Sequence, residues 1–127
     1  MRILLDTHAL IWWGEGSKRL SVAGARAIDD ADVRFVSAVT AMEIITKVRL
    51  GKLPGAERLA RDFESMVVAA DFQSLSITTT HARVAGSLAI AHKDPFDRLL
   101  AAQALEEGLV LISNEAVLDE VGLTRVW

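Results

Sequence analysis

Short apolar runs alternate with longer segments of helical spacing along the whole chain. The runs of strand length are residues 2–5, 34–36, 74–77, 109–112 and 124–126. The segments that helical spacing or helix-capping residues mark between them are residues 7–13, 21–30, 38–50, 54–70, 79–91 and 94–107. Strands that alternate with helices form a parallel sheet, because each crossover helix returns the chain to the same end of the sheet. The pattern therefore predicts an α/β fold, a short parallel sheet flanked by helices on both faces.

Length and the absence of cysteine limit what such a fold can be. With 127 residues, the chain is expected to form a single domain over residues 1–127. Because the chain has no cysteine, a disulfide framework, a thiolate zinc site, an iron–sulfur cluster and a cysteine nucleophile are excluded. No apolar run approaches the roughly 20 residues that span a bilayer, and Asp6 interrupts the first apolar stretch, so neither a membrane span nor a signal peptide is predicted. We therefore expect a soluble, cytoplasmic protein.

Polar side chains follow three of the predicted strands. Asp6 comes directly after the first strand, Ser37 after the second, and Ser113–Glu115 after the run at 109–112. In open parallel sheets, ligands bind outside the carboxyl ends of the strands. This edge is therefore the predicted site, although Asp6 is equally well placed to cap the helix over residues 7–13.

Four further carboxylates lie inside predicted helices or at their starts, and each also has an ordinary structural explanation. Glu43 stands four residues before Lys47, the spacing of a surface ion pair on a helix. Asp97 and Glu115 would fall in first helical turns, where the helix dipole favours an acid. Asp94 is suited to cap the helix that Pro95 begins.

Together, four acids form a set of oxygen donors without a thiolate or clustered imidazole; they are Asp6, Glu43, Asp97 and Glu115. Hard oxygen donors suit Mg²⁺ or Mn²⁺ rather than zinc. These ions act on phosphoryl oxygens and lower the pKa of bound water. Asp94, Ser113 and Asn114 are predicted as supporting positions around such a site.

The remaining polar and aromatic residues carry weaker signals. His8 stands two residues after Asp6 and either contacts a substrate or has a structural role, whereas His81 and His92 are expected to be solvated. Trp12 and Trp13 point about 100° apart on a helix, so one is expected in the core and the other is free to anchor an interface.

The net charge of −3 does not decide whether the chain binds nucleic acid, because the four acids assigned to a metal leave the rest of the molecule at +1. A small basic group, Lys47, Arg49 and Lys52, is either a solvated face or a contact to a phosphate backbone.

Four segments of the chain resemble, in order, the acidic motifs of PIN-domain proteins, specifically VapC-type toxins. The first is Leu-Leu-Asp-Thr-His-Ala-Leu-Ile-Trp-Trp at residues 4–13, and the second is Ser-Ala-Val-Thr-Ala-Met-Glu-Ile at residues 37–44, followed by a basic segment at 47–53. The third is His-Lys-Asp-Pro-Phe-Asp-Arg-Leu-Leu-Ala-Ala-Gln-Ala at residues 92–104, and the fourth is Val-Leu-Ile-Ser-Asn-Glu at residues 110–115. The resemblance covers essentially the whole chain.

The resemblance implies a PIN-like fold, a Mg²⁺ or Mn²⁺ site and endoribonuclease activity that leaves a 3′-hydroxyl and a 5′-phosphate. The family's carboxylates fall on Asp6, Glu43 and Asp97, and the fourth on Glu115, where the family usually has aspartate. It also implies a toxin–antitoxin pair, in which a small VapB-like protein inhibits the nuclease, and a homodimer.

Two alternatives belong to other functional classes. The departure at Glu115 leaves open a catalytically silent PIN-fold module that binds RNA or a protein. A metal-dependent phosphatase or phosphoacceptor is disfavoured, because the first strand is followed neither by an Asp-x-Asp motif nor by adjacent paired acids.

Overall fold

A five-stranded sheet organises the chain in the computed structural model, which describes all 127 residues. The strands are β1 (Arg2–Leu5), β2 (Val33–Ser37), β3 (Gln73–Leu75), β4 (Val110–Ile112) and β5 (Arg125–Val126). The helices are α1 (Thr7–Glu15), α2 (Val22–Asp30), α3 (Ala38–Arg49), α4 (Glu57–Arg61), α5 (Phe63–Ala69), α6 (Thr79–Ser87) and α7 (Pro95–Glu107), with a 3₁₀ helix over Ala116–Val121. All pairings are parallel, in the order β3-β2-β1-β4-β5. None of the helices has the length and apolarity that crossing a bilayer requires.

The central strand β1 sends its side chains alternately into two apolar cores. Ile3 and Leu5 belong to a core built with helices that include α1, α2, α3 and α5, whereas Leu4 belongs to a core built largely with α7. Burial of both faces explains why the strand reads as a continuous apolar run rather than an alternating one. The predicted parallel sheet with helices on both faces is confirmed.

The strand register brings three polar residues to one edge of the sheet. Leu5 of β1 pairs with Val36 of β2 and with Ile112 of β4, so the residues that follow, Asp6, Ser37 and Ser113, are neighbours at the carboxyl ends. The Asp6 N–H donates to the Ile112 carbonyl oxygen at 3.0 Å. This edge is the one that the sequence predicted as the site.

Two predicted helices differ from those in the structure, because two glycines and a bend change where the helices begin and end. Helix α1 continues past Gly14 to Glu15 and ends at Gly16, whose left-handed φ of 63° forms the C-cap. The single helix predicted from Pro54 to residue 70 is two helices. Gly55, at φ 92°, delays the start to Glu57, and the chain bends at Asp62, from which Phe63 and Val67 reach the first core.

Helix α6 begins as predicted but ends four residues early, at Ser87 rather than at residue 91. Its cap is Thr78 rather than Thr79 or Thr80. The carbonyl oxygens of Ala85 and Gly86, which would accept bonds from the next helical turn, accept from the Arg98 guanidinium instead. The chain then crosses to α7 without forming the last predicted turn. The strand predicted at 74–77 is Gln73–Leu75, because only these residues pair with β2.

Candidate functional site

A small cavity of about 60 Å³ opens at the carboxyl edge of the sheet and is lined entirely by polar residues. Its lining residues are Asp6, Thr7, His8, Glu43, Lys47, Asp94, Asp97 and Glu115. All four predicted carboxylates, together with Asp94, therefore meet in one place, although they come from segments up to about a hundred residues apart. We call this cavity the acidic pocket.

Asp6 occupies the pocket as the residue that joins β1 to α1. Its Oδ1 accepts a hydrogen bond from the Ala9 N–H at 2.8 Å, so the predicted helix cap is present. The residue is only 4% exposed, and burial raises the pKa of its carboxyl to about 6, against the opposing effect of hydrogen bonds from Ala9 and Ser113. A buried carboxylate is costly unless positive charge or donors compensate it. Asp6 is therefore both a helix cap and a carboxyl group whose ionised form burial disfavours.

Glu43 enters the pocket from α3 and is held by two donors. The Thr7 hydroxyl donates to its Oε1 at 2.5 Å, and the Lys47 ammonium donates to its Oε2 at 2.5 Å. The ion pair predicted from the spacing exists, but it is not an ordinary surface pair, because Glu43 is 5% exposed. Thr7 was not predicted as a pocket residue. The only signal for it is its position directly after Asp6.

Asp97 lies in the first turn of α7, as predicted, and its Oδ2 is 2.7 Å from the Nε2 of His92. Burial raises the pKa of the Asp97 carboxyl, and the hydrogen bond to Asp97 raises the pKa of His92. His92 was predicted to be solvated, but it is half-buried, because its imidazole contacts the Asp97 carboxylate. Spacing alone does not reveal it, since His92 lies in an irregular segment.

Glu115 and two of the predicted supporting residues, Asp94 and Asn114, differ in their positions relative to the acidic pocket. Glu115 lines the pocket just past β4, and its N–H donates to the Ser113 Oγ at 3.1 Å. Asp94 is the N-cap of α7, with Oδ1 accepting from the N–H groups of Phe96 and Asp97 at 2.8 and 3.2 Å. Asn114 is exposed and does not line the pocket.

Of the other aromatic residues, one histidine lines the acidic pocket and two tryptophans pack against the first core. His8 lines the acidic pocket and stacks on Trp12 with 5.2 Å between ring centroids, while Trp13 packs edge-on against Phe72. Both tryptophans are half-buried against the first core, so the expected split between a core and a free tryptophan is not seen.

His81 is buried rather than solvated, which corrects the prediction. Its Nδ1 accepts from the Thr78 N–H at 3.0 Å, so Nε2 carries the proton and donates to Glu107 Oε1 at 2.9 Å. Together with the Thr78 hydroxyl, which accepts from the His81 N–H, this forms a capping box in which histidine replaces the usual glutamate. His81 therefore fixes α6 against α7 and has no contact with the acidic pocket.

A second, larger cavity of about 240 Å³ shares no residue with the acidic pocket. It lies between α1 and the α4–α5 pair, and most of its lining residues are apolar, among them Leu10, Trp13, Met66 and Phe72. Its two charged residues, Glu15 and Arg58, do not make a set of converging donors for catalysis. The larger cavity is therefore not the candidate catalytic site.

The charges of the acidic pocket are strongly unbalanced. Five carboxylates face a single ammonium, that of Lys47. Like charges at this separation repel, and burial removes the water that would screen them. Carboxylate oxygens of this kind suit Mg²⁺ or Mn²⁺, and the pocket has room for an ion with water among its ligands. The donor set therefore fits a divalent cation.

The fold and the pocket define the class of protein: a parallel α/β protein with a carboxylate cluster at the carboxyl edge of its sheet. The family model described as PIN domain matches residues 3–123. The chain is also 30% identical, over 114 residues, to Ribonuclease VapC22 of Mycobacterium tuberculosis, an alignment that covers 89% of this chain and 86% of that relative. The chain therefore belongs to the PIN-domain family.

Solved structures share the fold at lower identity. The VapBC2 crystal structure from Rickettsia felis, bound to a DNA fragment from its promoter, aligns with a TM-score of 0.71 and 14% identity, over 98% of this chain and 97% of that one. A toxin–antitoxin complex from Klebsiella pneumoniae aligns with a TM-score of 0.63 and 21% identity, over 89% of this chain and 86% of that one. At these identities, the likeness establishes the fold.

Proposed function

We propose that this chain is a divalent-metal-dependent endoribonuclease and the toxin of a VapBC-type toxin–antitoxin pair. One observation carries the proposal: Asp6, Glu43, Asp97 and Glu115 converge in a pocket that has no apolar lining residue. Membership in the PIN-domain family and similarity to a ribonuclease support it.

In this proposal, Asp6, Glu43 and Asp97 hold a Mg²⁺ or Mn²⁺ ion, and Glu115 supports that ion or a second one. The bound ion supplies the Lewis acidity that polarises a phosphodiester and acidifies the attacking water. Thr7 and Lys47 fix the Glu43 carboxylate, and the Ala9 N–H fixes that of Asp6. These contacts orient the carboxylates before substrate arrives, which is how a site avoids reorganisation during reaction.

The proposal is tested by cleavage of a labelled RNA mixture with Mn²⁺, Mg²⁺ or EDTA. The wild type is compared with Asp6→Asn, which keeps a helix-capping side chain but loses the charge. Asp30→Asn is the matched control, because Asp30 is an exposed acid at the end of α2, just before β2 begins and so at the opposite end of that strand from the acidic pocket. We expect metal-dependent cleavage by the wild type and by Asp30→Asn, and at least a hundredfold less by Asp6→Asn, on the order of the loss when a group that stabilises transition-state charge is removed.

Equal cleavage by the wild type and Asp6→Asn would indicate a contaminating nuclease and would contradict the assignment of Asp6.

The alternative, a catalytically silent RNA-binding or protein-binding module, predicts a different result in the same experiment. If the protein binds RNA in Mn²⁺ but cleaves none of a diverse RNA mixture, the result would favour the silent module. The reason to test this alternative is that Glu115 stands where the family usually has aspartate.

The partners in this proposal are an RNA substrate, a small VapB-like antitoxin and a second copy of the chain, all in the cytoplasm. Expression of the wild type is expected to arrest growth, whereas Asp6→Asn is not, and co-expression of a cognate antitoxin is expected to restore growth. Light scattering at micromolar concentration tests the homodimer, and a monomer mass would contradict it.

A further inference from the structure

The imidazole of His92 lies beside two of the carboxylates that line the acidic pocket, those of Asp97 and Glu115. A ring nitrogen of His92 and carboxylate oxygens of Asp97 and Glu115 all lie within 4.8 Å of one another. These three residues come from separate segments: the connection between α6 and α7, the first turn of α7, and the chain just after β4. All three are half-buried, so the protein restricts the directions from which water reaches them.

The segment that carries His92 is held in place and is not a loose loop. The guanidinium of Arg98, one residue after Asp97, donates to the carbonyl oxygens of Ile90 and His92 at 3.3 and 3.0 Å. It also donates to the Leu88 carbonyl oxygen at 2.7 Å. These bonds tie the backbone on both sides of the connection to α7. The first turn of α7 therefore holds both residues in place. It carries Asp97 directly, and through Arg98 it fixes the backbone of His92.

We infer that His92, Asp97 and Glu115 form a mixed nitrogen–oxygen metal site on one side of the acidic pocket. The inference rests on the proposed function, because Asp97 and Glu115 also belong to its carboxylate set. The inference adds to those carboxylates a ligand of a different chemical type, the imidazole of His92. Imidazole is a good ligand for transition metals, whereas Mg²⁺ prefers carboxylate, carbonyl and water oxygens. An imidazole nitrogen at this position therefore favours a transition-metal ion such as Mn²⁺ over Mg²⁺.

The competing explanation is that His92 only positions Asp97 by donating a hydrogen bond from Nε2 to Oδ2. The His92→Gln variant separates the two roles, because the glutamine amide retains a donor but supplies no imidazole nitrogen. His8→Ala is the matched control, since His8 lines the acidic pocket but does not belong to the group formed by His92, Asp97 and Glu115. Both variants are at exposed or half-buried positions, and circular dichroism verifies that they fold.

The experiment measures Mn²⁺ and Mg²⁺ binding by titration calorimetry and records pulsed EPR spectra of the Mn²⁺-loaded protein. We expect a nitrogen hyperfine coupling in the wild type and in His8→Ala that is lost in His92→Gln. We also expect His92→Gln to weaken Mn²⁺ binding by about tenfold or more, the order of loss seen when residues around a metal are changed, with a smaller effect on Mg²⁺.

A nitrogen coupling that persists in His92→Gln, a coupling lost in His8→Ala, or an unchanged preference for Mn²⁺ over Mg²⁺ would overturn the inference. The result is independent of RNA cleavage. If cleavage depends on metal and on Asp6 but no nitrogen coupling is found, the mixed site fails and the nuclease stands. If the coupling is found and RNA stays intact, the mixed site stands and the nuclease fails.

Discussion

Asp6 shows how one residue satisfies a local and a long-range requirement at once. Its Oδ1 caps α1, while its position at the end of β1 places the charge beside Asp97. The cap explains why the helix starts at Thr7, and the burial explains why the pKa of the carboxyl rises to about 6. A residue kept for capping alone would gain nothing from this burial, since asparagine caps equally well.

The raised pKa of Asp6 makes the metal-free protein less stable as its carboxyl ionises. The unfolded chain releases this proton near pH 3.8 and the folded protein near pH 6, so the free energy of unfolding falls as pH rises between these values. From about pH 5 to about pH 7, this one group lowers stability by about 1 kcal/mol. Burial also raises the pKa of Asp97, which acts in the same direction.

Urea unfolding in EDTA at both pH values measures this effect, with Asp6→Asn as the variant that cannot ionise. We expect Asp6→Asn to be more stable than the wild type near pH 7 and to show a weaker pH dependence. A wild type that gains stability over the same pH interval, relative to Asp6→Asn, would contradict this account.

At the residue scale, the charged groups of the acidic pocket are predictable from the sequence, but the residues that hold them are not. Asp6, Glu43, Asp97 and Glu115 were predicted from strand ends, helix starts and motif resemblance, and the structure brings them together. Thr7, which holds Glu43 across 36 residues, carries no pattern of its own. Its role depends on how β1 and α3 pack.

At the scale of elements, Arg98 organises the connection from α6 to α7. Its guanidinium donates to five carbonyl oxygens between Ala85 and His92, and two of these belong to the last turn of α6. A planar guanidinium with five N–H donors can serve several acceptors at once, which an ammonium cannot. This contact ends α6 early, and helical periodicity could not predict it because the donor lies in the next helix.

We therefore expect Arg98→Lys to destabilise the protein by about 2 kcal/mol or more, because several carbonyl oxygens lose their donors. Arg83→Lys is the control, since Arg83 is exposed on α6. Urea unfolding gives the stability, and hydrogen exchange of residues 88–94 shows whether the connection opens. Equal stability of the two variants would mean that water replaces the guanidinium without cost.

Asp94 is the second test at this scale, because it has both a cap and a place in the pocket. Its Oδ1 accepts from two N–H groups at the start of α7, which is a complete structural role. We expect Asp94→Ala to lower stability by about 1 kcal/mol and Asp94→Asn to change it little. Mn²⁺ affinity should stay near the wild-type value in Asp94→Asn. An affinity loss as large as that of Asp97→Asn would instead make Asp94 a ligand.

At the scale of the whole molecule, the sheet explains why distant segments share one pocket. Parallel strands with crossover helices place every strand end at the same edge, so β1, β2 and β4 deliver their following residues together. The alternating pattern predicted this edge. The spatial order β3-β2-β1-β4-β5 could not be predicted from the pattern, because it depends on which apolar faces the helices cover.

The same arrangement couples the pocket to global stability. The acidic pocket joins the start of α1, the middle of α3, the start of α7 and the chain after β4, so repulsion among its carboxylates acts on most of the fold. A cation that binds only the folded protein removes this repulsion and stabilises it by mass action. An ion at about a hundred times its Kd would add about 2.7 kcal/mol.

We accordingly expect millimolar Mn²⁺ or Mg²⁺ to raise the Tm of the wild type by several degrees near pH 7, since 1 kcal/mol shifts the Tm of a domain of this size by about 4 °C. Asp6→Asn should respond much less, because it starts with less repulsion and one ligand fewer. Sodium chloride at matched ionic strength is the control, because screening alone also weakens like-charge repulsion. If sodium chloride raises the Tm as much as the divalent ion does, the pocket responds to ionic strength and does not hold a specific ion.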